Sequence, residues 1–244
     1  MMGDQATGVV TQGGWRGDAD CVASNADLMH CYRDLLGQHP RGPRAAEKLA
    51  RKAWTPAMFA VHFGIRGTWP GIPHRSLLMG PRYEDYLTDI FQHGVLPADQ
   101  MIFLNHPSVT DPSLAPEGCS VFSAYAPVPH MGKLPIDWVH MAPIFADRIL
   151  DEIERRLIPD IRERIVTQFH VAPPDFAGDI RAYMGSAFGL APLNSQSLAL
   201  RPHNRDAVIR NLFLTGASTH PGAGIPQVLA GAKVTAGLML QGGI

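Results

Sequence analysis

The sequence predicts an α/β (α+β) fold, and three patterns carry that expectation. In "MFAVHFGIR" the odd positions Phe59, Val61, Phe63 and Ile65 are apolar, while Met58, Ala60, His62 and Gly64 are smaller or more polar. A period of two marks a strand with one buried face. Between residues 136 and 157 the period lengthens. Phe145, Ile149, Leu150, Ile153 and Leu157 fall three to four apart with Asp, Glu and Arg opposite, the stripe of an amphipathic helix. Near the carboxyl end the apolar run "NLFLTG" passes through the glycine turn "THPGAG" into a helix expected to begin near Ile225.

The remaining elements follow in order. Val9 and Val10 lead into the turn signal Gly13-Gly14, and "ADCVAS" reads as a buried strand. Asn25 or Asp27 caps a helix through "LMHCYRDLL", closed by Gly37 and Pro40. A charged second helix is expected over Arg44 to Lys52. After "MFAVHFGIR" come strands at "SLLMG", "QMIFLNH", "CSVFSAY" and "ERIVTQFHV", with a helix near Tyr83 to Phe91. In the long helix Pro143 either kinks the axis or marks a restart. The last strand spans Leu212 to Thr215. Pro226 suits the first helical position, where its missing N–H costs nothing. Gly231, Ala232, Ala236 and Gly237 make that final helix thin enough for a sheet or ligand to approach.

Composition narrows the function classes. With 45% hydrophobic and 18% charged residues the chain is ordinary globular protein, and a formal net charge of -1 gives no field for nucleic acid or anionic lipid. Cys21, Cys31 and Cys119 form no C-x-x-C pair, which points to reduced thiols in a cytosolic setting. "MMGDQATG" has no secretory pattern. No apolar run approaches the roughly 18 residues of a membrane span. A soluble or peripheral protein is expected. The histidines show no metal-ligand spacing, and Ser186 in "GSAFG" stands second rather than third, so no nucleophile elbow is present.

Gly222 and Gly224 set up G-x-G, but position 227 is Gln and only twenty residues follow Gly224. A dinucleotide loop opens a βαβ unit of about 30 residues, so this turn is expected to complete a nucleotide site whose phosphate loop lies elsewhere. A helix amino end offers free N–H groups and a positive dipole end worth up to about 2 kcal/mol. At ~1.4 kcal/mol per pKa unit, that is enough to keep the N1–C2=O edge of a reduced flavin anionic near neutrality.

The residues also carry a likeness. "NLFLTGASTHPGAGIPQVLAGAKVTAGLML" resembles the carboxyl-terminal FAD signature of the bacterial phytoene desaturase family of carotenoid desaturases. "GSAFGLAPLNSQSLALRPHNRD", "NHPSVTDPSLAPEGCSVFSAYAPVPH" and "LMGPRYEDYLTDIF" resemble its substrate-domain and later segments, and "ADCVASNADLMHCYRDLLG" resembles the end of its FAD-domain insertion. The likeness runs in order over nearly the whole chain. It lacks the family's opening strand, G-x-G-x-x-G loop and acidic ribose ligand.

The resemblance implies the C-terminal part of a Rossmann-like FAD-binding flavoprotein fold with an inserted mixed-sheet substrate domain. Residues 1–27 would end the FAD-domain insertion, 28–195 would form the substrate-binding domain, and 196–244 the last FAD-binding strand, turn and helix. Gly216, Ala217, Ser218, Thr219, Gly222, Gly224, Ile225 and Pro226 would line the flavin, with the N–H groups of Gln227 and Val228 facing its pyrimidine edge. Ala217 departs from the wider flavin amine-oxidase pattern, which places an acid there. The implied cofactor is FAD and the implied substrate an apolar polyene such as phytoene. The remaining partners would be the membrane surface and a missing N-terminal half, at a cytoplasmic, peripherally membrane-associated location. Without that half, the isolated chain is expected to be inactive. "RPHNRD" would approach the flavin or close a loop by salt bridges. "TDPSLAPEG" reads as a hairpin connection. Phe59, Phe63, Phe103 and Phe122 would line a polyene tunnel or simply pack a core. The rival readings are another flavin oxidoreductase, of amine oxidase or carotenoid ketolase type, and a catalytically incomplete fragment.

Overall fold

The structure, a computed structural model, describes residues 1–241. Strands β1 (Gly8–Val10), β2 (Arg16–Asp18) and β3 (Val22–Ser24) come first. Helix α1 (Leu28–His30) runs on into a π turn at Cys31–Leu35, and α2 spans Arg41–Ala50. Then come β4 (Ala57–Arg66), β5 (Arg75–Leu78), α3 (Tyr83–Thr88), β6 (Ile102–Asn105) and β7 (Cys119–Val128). Next are α4 (Trp138–Arg156), α5 (Ile161–Arg164), β8 (Ile165–Val171) and α6 (Pro173–Asp179). β9 (Leu212–Leu214) and α7 (Ile225–Gln241) close the order. Helix and strand types match the sequence patterns at each expected element.

The chain forms two compact units. One comprises Pro56–Asp179 and Met184–Ala187, built on a five-stranded antiparallel sheet in the order β5-β6-β7-β4-β8. β4 and β7 pair over ten residues, from Ala57↔Val128 to Arg66↔Cys119. The odd residues Phe59, Val61, Phe63 and Ile65 of β4 share a core with Phe122, Ala124 and Ala126 of β7 and with Phe145, Ile149 and Ile153 of α4. Each such large side chain contributes roughly 1.5–3 kcal/mol on burial. Phe59 meets Phe145 edge-on at 5.0 Å, and Phe63 stacks on Phe122 at 5.3 Å. Core packing therefore accounts for Phe59, Phe63 and Phe122. Phe103 lies on the opposite face and is half exposed. Asp137 caps α4 by accepting from the Val139 and His140 N–H groups. Pro143 sits inside α4 without dividing it. The N–H it lacks would bond the carbonyl of Val139, an exposed residue at the start of the helix. The 110–118 segment joins the antiparallel strands β6 and β7, with Asp111 accepting from Ser113.

The other unit comprises Met1–Thr55, Ile180–Tyr183 and Phe188–Ile244. Its centre is the parallel pair β3–β9, with Val22 opposite Leu212 and Ser24 opposite Leu214. All three β9 side chains are buried, as a parallel strand requires. Asp27, rather than Asn25, caps α1, accepting from Met29 N–H at 2.8 Å. These unit bounds differ from the divisions drawn on the sequence at 27/28 and 195/196. Long-range bonds explain why: Tyr32 donates to Asp206, Thr55 N–H to the Gly189 carbonyl, and Leu190 N–H to Ser218. Residues 28–55 and 188–195 thereby belong to the same unit as β9 and α7.

Candidate functional site

The turn between β9 and α7 is built almost entirely from backbone. Thr219 closes it on Gly216, with both its N–H and its hydroxyl donating to the Gly216 carbonyl, at 3.2 and 2.9 Å. Ser218 Oγ accepts from Leu190 N–H at 3.1 Å. Ser218 and Thr219 are both buried, so their side chains brace the turn from within. Gly222 and Gly224 adopt φ of +138° and +103°, a region open to glycine and closed to β-branched residues. Gly224, Ile225, Pro226 and Gln227 are exposed at the mouth of α7. Pro226 is the second helical residue.

One expected contact is corrected. The Val228 N–H donates to the Gly224 carbonyl at 2.9 Å, the first turn of α7 closing on itself, so it does not face a ligand. The Gln227 N–H has no backbone partner among the described residues, as expected for an early helix position. The Gln227 side chain folds back over the turn, its Oε1 2.7 Å from where a Cβ on Gly224 would lie.

Beneath this turn lies "RPHNRD", whose residues divide the work. Arg201 is 3% exposed and grips three carbonyls: Thr219 from Nε at 3.0 Å, and Leu190 and Ala217 from Nη2 at 3.1 and 2.5 Å. Burial draws its pKa below the ordinary guanidinium value. Asn204 donates to Thr235 Oγ1, which donates in turn to the Leu214 carbonyl, tying α7 to β9. Gly231 lies against the His220 carbonyl, 3.1 Å from where a Cβ would be. Of the four small residues, it is the one whose size lets α7 come close. Asp206 accepts from the Tyr32 hydroxyl at 2.6 Å, from Arg41 Nε at 2.9 Å and from the Val208 and Ile209 N–H groups. Burial alone would raise its carboxyl, yet these donors hold it below the usual carboxylate range. The segment thus both closes a loop by a salt bridge and supports the turn. Nothing in its spacing signals that Arg201 would bind carbonyls.

Comparisons with known proteins follow the same outline. No protein-family model matches the chain. It is 47% identical over 98% of its length to a phytoene desaturase (lycopene-forming) of Paracoccus sp., covering 48% of that protein. It is 44% identical over 98% of its length to the lycopene-forming phytoene desaturase of Pantoea ananas, covering 49%. The chain belongs to the phytoene desaturase family. It spans about half the length of the curated relatives it matches. Among solved structures, an oxidoreductase from Methanosarcina mazei aligns over 96% of this chain and 46% of its own at TM-score 0.62 and 16% identity. A putrescine oxidase variant aligns over 94% and 45% at TM-score 0.51 and 13% identity. These two likenesses concern the fold alone, a mixed arrangement of helices and sheets. Among the described residues of this desaturase-family chain, no helix is long and apolar enough to cross a membrane.

Proposed function

We propose that this chain forms the portion of an FAD-dependent carotenoid desaturase that closes the flavin site and supplies the substrate-domain sheet. The whole protein would introduce double bonds into an isoprenoid polyene such as phytoene. The carrying observation is the 47% identity over 98% of the chain to a lycopene-forming phytoene desaturase. The turn fits a flavin on its own geometry. Gly222 and Gly224 carry no Cβ at positive φ, and one on Gly224 would crowd Gln227, while the Gln227 N–H is left to donate outward. When bound, the flavin supplies a hydride acceptor, so that a C–C single bond becomes double and the accompanying proton passes to solvent.

The chain's own residues then do three things. Gly216 to Gly224 keep side chains out of the ring's way. The amino end of α7 places partial positive charge at the turn. The Arg201 grip on the Ala217 and Thr219 carbonyls holds the turn in one shape. The substrate would be taken from a bilayer by a peripherally bound protein in the cytoplasm. Release by carbonate extraction would support that location, and resistance to carbonate would count against it.

The test joins this chain to the remaining half of the Paracoccus relative. The expected product is a yellow protein that desaturates phytoene. A protein that retains flavin, oxidises amines and leaves phytoene untouched would refute the desaturase reading in favour of the amine oxidase one. The isolated chain should bind FAD weakly, and sub-micromolar affinity by titration calorimetry would refute that.

A further inference from the structure

The net charge of -1 conceals an uneven distribution. Between residues 35 and 55 stand Arg41, Arg44, Lys48, Arg51 and Lys52, with Glu47 as the single acid. Helix α2 sorts them. Its Gly42, Ala45, Ala46 and Leu49 are buried, and a Cβ on Gly42 would collide with the Leu36 carbonyl oxygen, so this face is pressed against the preceding π turn. Steps of three and four residues from Arg41 through Arg44 and Lys48 to Arg51 keep the cations together on another side. Arg44, Lys48 and Arg51 are exposed and line one cleft. Arg41 is held by Asp206 at 2.9 Å, Arg51 pairs with Glu47, and Asp4 at the same cleft lies 3.3 Å from His39. Arg44 and Lys48 form no salt bridge among the described residues.

A basic helix face by itself is only a solvated face. Here apolar side chains stand exposed beside it. Val208, 40% exposed, lines the same cleft. Leu35, 62% exposed, lines a second cleft that shares His39 with the first and carries Val9 and Val10. Cations interleaved with exposed aliphatic groups suit an anionic bilayer surface, where phosphates take the charge and the acyl boundary takes the aliphatic groups. Single-stranded nucleic acid asks for aromatic platforms instead. Among the described residues that line the α2 cleft there is no Trp, Tyr or Phe.

We propose that the outer face of α2 docks this chain on an anionic bilayer, with lipid phosphates against Arg44 and Lys48 and with Leu35 and Val208 at the acyl boundary. The assignment rests on the peripheral location proposed above and adds to it the surface and the charge of the lipid.

The test is flotation of the 244-residue chain with lipid vesicles. It should bind an equal mixture of phosphatidylcholine and phosphatidylglycerol, come off at high salt, and ignore phosphatidylcholine alone. A cation near an anionic surface raises affinity about fivefold, so Arg44→Gln combined with Lys48→Gln should bind about twenty-fivefold more weakly. Glu47→Gln removes the acid beside them and should bind about fivefold more tightly, a gain that no folding defect produces. Equal affinity for the two vesicle types overturns the proposal, as does wild-type binding by the double variant. Tighter binding of a single-stranded oligonucleotide, with the same dependence on Arg44 and Lys48, also overturns it and makes the face a nucleic-acid surface.

The joined protein separates this proposal from the desaturase reading. Binding to mixed vesicles that still depends on Arg44 and Lys48 supports the docking face. Loss of that binding in the joined protein overturns it, because the other half then covers α2. A joined protein that desaturates detergent-dispersed phytoene yet ignores mixed vesicles sinks the docking face alone. One that binds the vesicles through Arg44 and Lys48 but leaves dispersed phytoene untouched sinks the desaturase reading and leaves the docking face standing.

Discussion

Each of the two compact units is stabilised internally by its own balance of forces. The sheet unit carries an apolar cluster running from Ala57 to Ala172, with aromatic contacts such as Phe59 on Phe145 at its heart. The unit containing α7 buries apolar side chains too, Leu28, Trp54 and those of β9 among them, but adds a polar and charged group of Arg201, Asn204, Asp206, Ser218, Thr219 and Thr235. Apolar packing tolerates small shifts, because dispersion and burial have no direction. A buried hydrogen-bonded network specifies positions, since each lost partner costs the desolvation of the group left behind. The polar unit is also the one that carries the candidate flavin turn. Precision of backbone placement is what a cofactor turn needs, and here it is supplied by Arg201, Asn204 and Thr219 acting on carbonyls.

Mutations separate the two regimes. In the sheet unit, Phe145→Ala should cost the most, about 3–5 kcal/mol by denaturant unfolding, with little dependence on pH. Asp206→Asn should cost about 3 kcal/mol, because Arg41 loses its buried partner. Unlike the first, this loss depends on pH. The folded carboxyl of Asp206 is depressed below its unfolded value. Its contribution is therefore fully present above an unfolded pKa near ~3.9 and disappears as pH falls through the folded value. Wild type and Asp206→Asn should converge on acidification. A constant gap from neutral pH down into the acid range would show that the carboxylate charge is not what the network needs.

A third pair of variants reads the turn itself. Gly224→Val forces a β-branched residue to φ +103° and drives its Cβ toward Gln227 Oε1. Flavin retention in the joined protein should be abolished, while the circular dichroism of the sheet unit stays unchanged. Gln227→Ala removes a side chain that folds over the turn, and the backbone N–H remains. Retention should then be nearly intact. The reverse ranking would mean that the mouth of α7 does not face the cofactor.

How much of this was legible beforehand follows the same division. The sheet unit was readable because burial leaves a period. The odd residues of β4 and the three-to-four spacing of α4 are the core they build. The strand, turn and helix at residues 212–241 were equally readable from glycine and proline placement. What could not be read is whatever acts on the backbone. The acceptors of Arg201 and the donor to Ser218 are main-chain groups, which leave no residue-type signal at positions 190, 217 or 219. The unit bounds were hidden for a related reason, since segment 28–55 is tied to Asp206 and to Gly189 by bonds across more than a hundred residues, from Tyr32 and Thr55. The use of the Val228 N–H depends on where α7 begins to a single residue, finer than any pattern fixes.

The smallest effect sharpens the comparison most, because it concerns the same device in both units. Asp27 caps α1 in the polar unit and Asp137 caps α4 in the sheet unit, each accepting two helix N–H groups. Their surroundings oppose each other. Burial pushes the Asp27 carboxyl up, outweighing the Met29 and His30 N–H groups that favour its charge. The hydrogen bond from His140 pulls the fully exposed Asp137 carboxyl down. A raised carboxyl gives its stabilisation below its unfolded pKa and loses it as pH rises through the folded value; a lowered one does the opposite. Asparagine keeps the cap in both places, since its side-chain oxygen accepts the same N–H groups. Asp27→Asn should therefore be stabilising at neutral pH by up to about 1 kcal/mol and neutral near pH ~3. Asp137→Asn should be destabilising at neutral pH and neutral in acid. Melting curves of both variants at the two pH values would show slopes of opposite sign. Parallel slopes would mean that the two caps sit in equivalent electrostatic surroundings, and the contrast between a charge-burying unit and an apolar one would not extend to their helix ends.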